Sequence, residues 1–348
     1  MVAILPGAYN TYVQDHAASG QLVVDFSRNM SEFALNRYIK LIPVEKMTGL
    51  WLKMTLEEAA RVISSADNEH SWPDGADRPS LHSNDGSESF EFQEFRTDRK
   101  EYGARLGNLT VGQASWDIKA QHARIKAQQA MTARTVHVLD LLTTAGNYDS
   151  GHTIAAASIS GNTGTWAAST SARQDIQRSL NYAAKIINKA TLGVVKKKDL
   201  VLVISPDVAT EIAECQEIVE MIKSSRFSEP YIKGDLWSNS EWGLPPDLYG
   251  VPLVVEDTVQ VTTRKGGTQT KQYALNDDKA MLLARPGALE GLYGSPEFSS
   301  ASMFVFSDME VWSKDDRDNE RTTLSVVDNR VAKFTSPVSS FMFSDVIA

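Results

Sequence analysis

Residues 113–144, QASWDIKAQHARIKAQQAMTARTVHVLDLLTT, contain no Gly or Pro and are dense in Ala, Gln, Lys, Arg and Leu, the residues that lose least on entering a helix. Thr110 and Gln113 stand at the spacing of a capping box, and Gly146-Asn147 comes next as a helix stop. The pattern predicts one helix from Gln113 to Thr144, about 48 Å long at 1.5 Å per residue. Trp116, Ala120, Ala123, Ala127 and Ala130 give it a thin stripe of contact residues at spacings of three and four. Val136, Val138, Leu139, Leu141 and Leu142 make its far end apolar all round, so that end is expected in a core and the first half lightly clad. Such a rod is longer than a compact small domain needs, and it separates an N-terminal third of the chain from a longer C-terminal part.

Upstream, residues 1–30 mix small, polar and scattered apolar residues without a period, which reads as an extended arm that needs a surface to lie on. Ser31 offers an N-cap for a short helix through Ile39, ended before Pro43. Leu50 to Thr55 reads as a strand, and Glu57 to Val62 is open between strand and helix. Residues 64–89 are rich in Ser, Asp, Asn, Glu, Gly and Pro and cannot build a core of their own. Phe90, Phe92 and Phe95 then alternate with Glu91, Gln93 and Glu94 in a strand that runs on towards Tyr102. Two strands joined by a polar tip make a two-stranded ribbon, which is only marginally stable alone in water. Its aromatic face is expected to need cover from another subunit or from the long helix, with Trp51, Phe90, Phe92, Phe95 and Tyr102 as candidate subunit-contact residues.

Downstream, residues 149–165 read as a connecting loop, and Ser171 is placed to cap a helix whose apolar face is Ile176, Leu180, Ala183, Ala184 and Ile187, ending at Gly193. Lys196-Lys197-Lys198 is a solvated turn after that helix. Leu200 to Ile204, apolar throughout, is a central strand, and Ser205-Pro206-Asp207 opens the next helix with a cap, a first-turn proline and an acid. A second helical piece covers Glu217 to Ser224. Further strands are expected at Val251–Val255, Val259–Thr263, Gln269–Leu275 and Ala280–Ala284, the middle pair joined by a Lys265-Gly266-Gly267 hairpin turn. Three terminal strands are expected: Met303 to Phe306 continuing into Met309 to Trp312, then Thr322 to Val327, then Val331 to Thr335. Asp328-Asn329 is read as the tight turn between the last two, and the charged run Lys314 to Arg321 as a solvated hairpin bend.

With 348 residues, 42% apolar and 23% charged, the chain is long enough for about two globular domains. A net charge of −9 argues against gripping a phosphate backbone, which needs clustered Lys and Arg. Cys215 is the single cysteine, so no intrachain disulfide or multi-cysteine metal site is possible, and its place in a helix points to a buried thiol. No secretory signal, membrane span or internal repeat is evident, which places the chain in the cytoplasm unless a partner exports it. Catalytic patterns are missing as well: no Gly-x-Ser-x-Gly, no His-Glu-x-x-His and no phosphate loop, since Gly161-Asn162-Thr163-Gly164 has neither a preceding strand nor a following Lys. The six histidines are scattered, with His122 and His137 too far apart on the rod to share a metal. No catalytic, cofactor or metal residue is expected.

The order of parts, arm, ribbon, long helix, inserted helix-and-sheet module and terminal strands, resembles the major capsid protein of tailed bacteriophages, the Hong Kong 97-like fold. The resemblance is carried by Leu141-Leu142-Thr143-Thr144-Ala145-Gly146-Asn147-Tyr148, by Trp166 leading to Asp175-Ile176, by Leu202-Val203-Ile204-Ser205-Pro206-Asp207-Val208, and by Leu248-Tyr249-Gly250-Val251-Pro252-Leu253. It extends through the closing stretch from Met309-Glu310-Val311-Trp312 to Ser344-Asp345-Val346-Ile347, and so covers nearly the whole chain. It implies an α+β fold with residues 1–45 as N-terminal arm and 46–110 as the extended loop (E-loop). Residues 111–150 with 303–348 would be the peripheral domain around the spine helix, and 151–302 the axial domain. It further implies self-assembly through pentamers and hexamers into an icosahedral head shell around packaged double-stranded DNA that is only weakly contacted. A separate scaffolding protein or none is implied by the short arm, with a portal and a decoration protein as possible partners, assembly in the host cytoplasm and a final place in the virion. The same fold would suit an encapsulin-like nanocompartment shell, and a cytosolic enzyme with dispersed carboxylates is a further alternative.

Overall fold

The structure, a computed structural model, describes residues 30–53, 73–75, 91–113, 117–170, 172–224, 242–263, 267–287 and 298–347. In chain order the first strands are β1 (Lys40–Pro43), β2 (Thr48–Leu52), β3 (Phe92–Arg96) and β4 (Asp98–Gly107), with helices α1 (Asn108–Gln113) and α2 (Ile118–Thr143) after them. Next come β5 (Thr153–Ala155), α3 (Asp175–Ala190), β6 (Leu200–Ile204), α4 (Pro206–Glu214), α5 (Gln216–Ser224), β7 (Asp247–Leu248) and β8 (Val251–Val255). The chain closes with β9 (Val259–Val261), β10 (Lys271–Tyr273), β11 (Ala280–Ala284), β12 (Ala301–Asp316), β13 (Arg321–Phe334) and β14 (Ser340–Ser344).

A six-stranded mixed sheet in the order β5-β14-β11-β6-β8-β7 has β6 near its middle, antiparallel to β11 and parallel to β8. All five residues of β6 are buried, because both faces of the sheet are covered and an uninterrupted apolar run is what two covered faces demand. Leu200, Leu202 and Ile204 share a core with Ile176, Leu180 and Ile187 of α3 and Val208 and Ile212 of α4. Val201 and Val203 face the other way, into a core with Val138, Leu139 and Leu142 of α2. Local signals place the helices on the first side: the Ser205 hydroxyl accepts from the Val208 amide, and Gly193, at φ +80°, donates to the Asn188 carbonyl at 2.7 Å and closes the turn after α3. Ser171 lies outside the described residues, and α3 begins at Asp175 instead. Its first amides, Ile176 N and Gln177 N, donate to the Glu217 carboxylate of α5 at 3.2 and 3.4 Å, a cap supplied from 41 residues away.

The second sheet has the order β1-β12-β13-β4. Its backbone is the long β12–β13 hairpin, whose bend falls in the charged run around residues 317–320, as the charges anticipate. Asp328-Asn329 is not a turn: β13 runs unbroken through both residues, which pair with β4 on one side and are buried. The irregularity sits in β12 instead, where the register shifts on either side of Ser307 and Met309 takes φ +47°. The helix expected over residues 31–39 also changes form, with 3-10 turns at Met30–Glu32 and Ala34–Arg37 in place of one Ser31-capped element. The β9–β10 pair is an antiparallel hairpin shorter than the sequence suggests, and residues 264–266 of its turn lie outside the described residues.

Helix α2 joins the two sheets, since its Met131, Val138 and Leu142 share one core with Val201 and Met281 of the first and Met303 and Phe334 of the second. It starts later than the sequence pattern suggests. Thr110 and Gln113 belong to the separate α1, and the cap is Asp117, whose side chain accepts from Ala120 N at 3.0 Å. Its 26 residues span about 39 Å. The far end closes without a left-handed glycine: Asn147 Nδ2 donates to the Leu141 carbonyl, Tyr148 Oη to that of Leu142, and Lys279 Nζ to that of Thr143, at 2.7, 2.8 and 3.1 Å. As expected, buried residues cluster from Ala130 onward, and residues 119–129 stay partly or fully exposed. Trp116 lies outside the described residues.

Candidate assembly surface and its internal support

The β2–β3 ribbon is antiparallel, pairing Gly49 with Phe95 and Leu52 with Phe92. Phe95 lies across Gly49 so closely that a Cβ there would sit 2.7 Å from the ring, so only glycine admits this packing. The other side of the Phe95 ring stacks on Phe304 of β12, centroids 4.3 Å apart and nearly parallel, with Trp51 6.5 Å from the same Phe304 ring. Ile42, Val44 and Val331 complete this small core. The aromatic face expected to need a neighbour or the long helix is therefore covered by the chain's own β12. Phe92 and Phe95, three residues apart in a strand, point to opposite faces, and Phe92 is exposed. Tyr102 is partly buried in β4, and Phe90 lies outside the described residues. The open face of the ribbon carries Leu50 and Leu52, 64% and 45% exposed, which the aromatic pattern did not single out.

A second open surface is the outer half of β12, whose partner β13 keeps Thr322, Leu324 and Val326 buried. β1 pairs with β12 only over Ser302–Val305, so the β12 edge beyond is not paired by β1. Val311 and Trp312, adjacent and therefore on opposite faces, are 56% and 55% exposed. Among the described residues no layer covers either face of β12 there.

Beneath these surfaces sits an ionic cluster, buried except at Asp308. Arg134 of α2 grips Asp328 of β13 with two nitrogens, Nε at 3.2 Å and Nη2 at 2.7 Å, and its Nη2 also meets Asp308 beside the β12 irregularity. Arg330 binds the same Asp328 carboxylate through Nε. Burial acts to lower the Arg134 pKa, but Asp328 and then Asp308 outweigh it and the net shift is upward, so the guanidinium stays charged. Asp328 thus ties the helix to the sheet, and with Asn329 it lies inside a strand paired with Lys100 and Arg99 of β4. A second buried network ties the segment before β1 to the other sheet: Tyr38 Oη donates to Glu256 Oε2 at 2.7 Å, and Thr258 Oγ1 donates to Oε1. Burial pushes the Glu256 carboxyl above its ordinary range.

Groups suited to catalysis are dispersed. Among the described residues no three His, Cys, Asp or Glu side chains are grouped to hold a metal. Cys215 is buried between α4 and α5, and burial raises its thiol pKa. No described helix is long and apolar enough to cross a membrane.

No protein-family model matches the sequence, and no curated protein matches it. Solved structures do match in shape. A phage-related protein from Bordetella bronchiseptica RB50 superposes with a TM-score of 0.60 at 12% identity, over 92% of this chain and 94% of that one. The capsid of the cyanophage P-SCSP1u gives 0.54 at 11% identity over 94% and 91%, and the mature capsid of bacteriophage PhiM1 gives 0.52 at 12% over 92% and 89%. The chain has the Hong Kong 97-like capsid fold.

In this capsid fold α2 is the spine helix, the β2–β3 ribbon is the base of the extended loop, and the six-stranded sheet with α3, α4 and α5 forms the core of the inserted module. The closing strand β14 lies inside that six-stranded sheet, between β5 and β11, and the Trp166 amide donates to the Val346 carbonyl. Sequence reasoning missed the ionic cluster, whose carboxylates are 174 and 194 residues from Arg134 and leave no pattern around it. A signal was present in Asp328 and Arg330, two charges on one face of an otherwise apolar strand run.

Proposed function

We propose that the chain is a major capsid protein, many copies of which close into an icosahedral head shell around a packaged double-stranded DNA genome. The observation that carries the reading is the apolar surface left open within a capsid fold: Leu50 and Leu52 on the ribbon, Val311 and Trp312 on both sides of the hairpin. Burying such surface contributes about 25 cal/mol per Å², and small contacts repeated around a closed shell accumulate. The net charge of −9 suits a container that does not hold its cargo tightly. Its action is assembly and not catalysis, with pentamers and hexamers as building units. The ribbon within residues 46–110 would reach over a neighbour, residues 151–302, joined in their sheet by β14, would gather around the five-fold and six-fold positions, and residues 111–150 with the β12–β13 hairpin would form the peripheral domain. A portal, a decoration protein and a separate scaffolding protein or none are the candidate partners, the host cytoplasm its place of assembly, and the virion its destination.

The test is electron microscopy of the purified protein with nucleic-acid staining, beside a sizing column. Closed particles, DNA-filled when taken from a lytic culture, are the expected result. Shells that enclose an enzyme and never DNA would make this a nanocompartment, and a single species near 38.3 kDa at high concentration would end the shell reading altogether.

A further inference from the structure

We propose that neighbouring copies meet head to tail through two helix stripes of opposite charge, the cationic face of α3 on one copy against the acidic face of α4 on the next. This rests on the capsid reading above and names the contact within it. Helix α3 turns Ile176, Leu180, Ala183 and Ile187 to the sheet, and its outward side carries Arg178, Lys185 and Lys189 at spacings of seven and four, one stripe on a helix. Its single acid, Asp175, is buried at the start. Helix α4 turns Val208, Ala209 and Ile212 inward, and its outward side carries Asp207, Glu211 and Glu214 at spacings of four and three, with no Lys or Arg in the helix. All six charged residues are exposed.

Among the described residues, five of these six charges have no ionic partner. Arg178 is engaged, donating to the Gly161 carbonyl and lying 3.7 Å from Asp175. Lys185, Lys189, Asp207, Glu211 and Glu214 enter no ion pair among the described residues. Like charges one helical turn apart repel, so each stripe is mildly unfavourable alone and becomes favourable when the opposite stripe faces it. Both helices rest on one core on the same side of the six-stranded sheet, so a single layer of the module presents both signs. The matching acidic stripe selects a second copy as the occupant of the cationic one, and the net charge of −9 disfavours nucleic acid in that role. A contact between two different patches, repeated in one sense, is heterologous and generates a ring where the rotation closes, the symmetry a capsomer needs. Being exposed and charged, it acts chiefly on encounter rate and on the choice of partner face, and salt weakens it.

The experiment compares four chains at equal concentration: wild type, Lys185→Glu with Lys189→Glu, Glu211→Lys with Glu214→Lys, and the fourfold variant that swaps both stripes. Particles are scored by sedimentation and negative stain, and thermal melts check the fold. Each reversed pair is expected to lower particle yield at least tenfold, and the swap to restore most of it. Should a reversed pair melt early, Lys185→Gln with Lys189→Gln is read in its place, with slower assembly and a flatter salt dependence expected. Reversed pairs that assemble like the wild type, or a stably folded swap that rescues nothing, overturn the proposal while leaving the capsid reading in place. Normal particles that retain less nucleic acid when α3 is reversed also overturn it, by placing that stripe on the cargo side. A wild-type chain that never assembles removes the capsid reading itself.

Discussion

Strand β6 of the six-stranded sheet has every residue buried, layered by α3 and α4 on one side and α2 on the other, whereas β12 of the four-stranded sheet is buried over Ala301–Val305 and mostly exposed from Phe306 to its end. The two strands meet the same helix and differ both in sequence, apolar throughout in β6 and charged in outer β12, and in what covers their faces. The first sheet is finished on both faces within the chain, by α3 and α4 on one and by the spine helix α2 on the other. In the second, the ribbon stacked on Phe304 and Arg134 clamped on Asp328 finish the root and β13 stays buried on one face, but the outer half of β12 is left open. What holds each region should therefore fail in a different way when cut.

The largest effect is expected at the root of the second sheet. Asp328→Asn leaves Arg330 without its carboxylate and Arg134 with only Asp308, and losing one member of a buried ion pair costs about 3–5 kcal/mol. Urea unfolding of the free chain measures it, and a loss below about 1 kcal/mol would show that the cluster does not fix the helix to the sheet. Next, Leu202→Ala at the middle of β6 should cost about 2–5 kcal/mol. Val311→Ala on the open hairpin should stay within about 0.5 kcal/mol in the free chain yet reduce particle yield. Equal losses at the two sites in the free chain would erase the contrast. A loss between these two, about 0.3–1 kcal/mol, is expected for Lys279→Ala, which removes a cation from the carbonyl end of α2.

The mildest prediction concerns pH. His137, one turn beyond Arg134, has its pKa lowered, first because the surrounding protein displaces water and then because Arg330 and Lys100 oppose its charged form, with Asp140 and Asp98 pulling the other way. The folded state thus binds this proton less readily than the unfolded chain, whose His titrates near about 6.5. The associated stability is fully present above that pH and falls as pH drops below it. In His137→Gln that part of the slope should vanish. An unchanged slope would place the acid sensitivity elsewhere, with Glu256 excluded as its source because a carboxyl raised by burial makes the opposite contribution, favouring the fold as pH falls.

Where a residue's neighbours are close in sequence, the pattern was readable. The apolar run of β6, the Ser205 cap and the charged bend between β12 and β13 are decided within a few residues, and the structure keeps all three. The Thr110 and Gln113 box and the Asp328-Asn329 turn fail for opposite reasons. The first is a real helix signal that serves a separate short helix, and the second is turn chemistry overruled by pairing with the distant strand β4. The open surface was half legible: the ribbon was expected, but Leu50 and Leu52 face outward only because Gly49 lets Phe95 fold across it and turn the aromatic side inward.

Hydrogen exchange compared between free chain and assembled particles tests the central claim most directly. Residues 48–52, 92–96 and 306–316 should gain protection on assembly, and β6 and β11 should exchange equally slowly in both states. If the ribbon and the outer hairpin exchange in particles as they do in the free chain, or no particles form, then the open surface is not completed by copies of this protein.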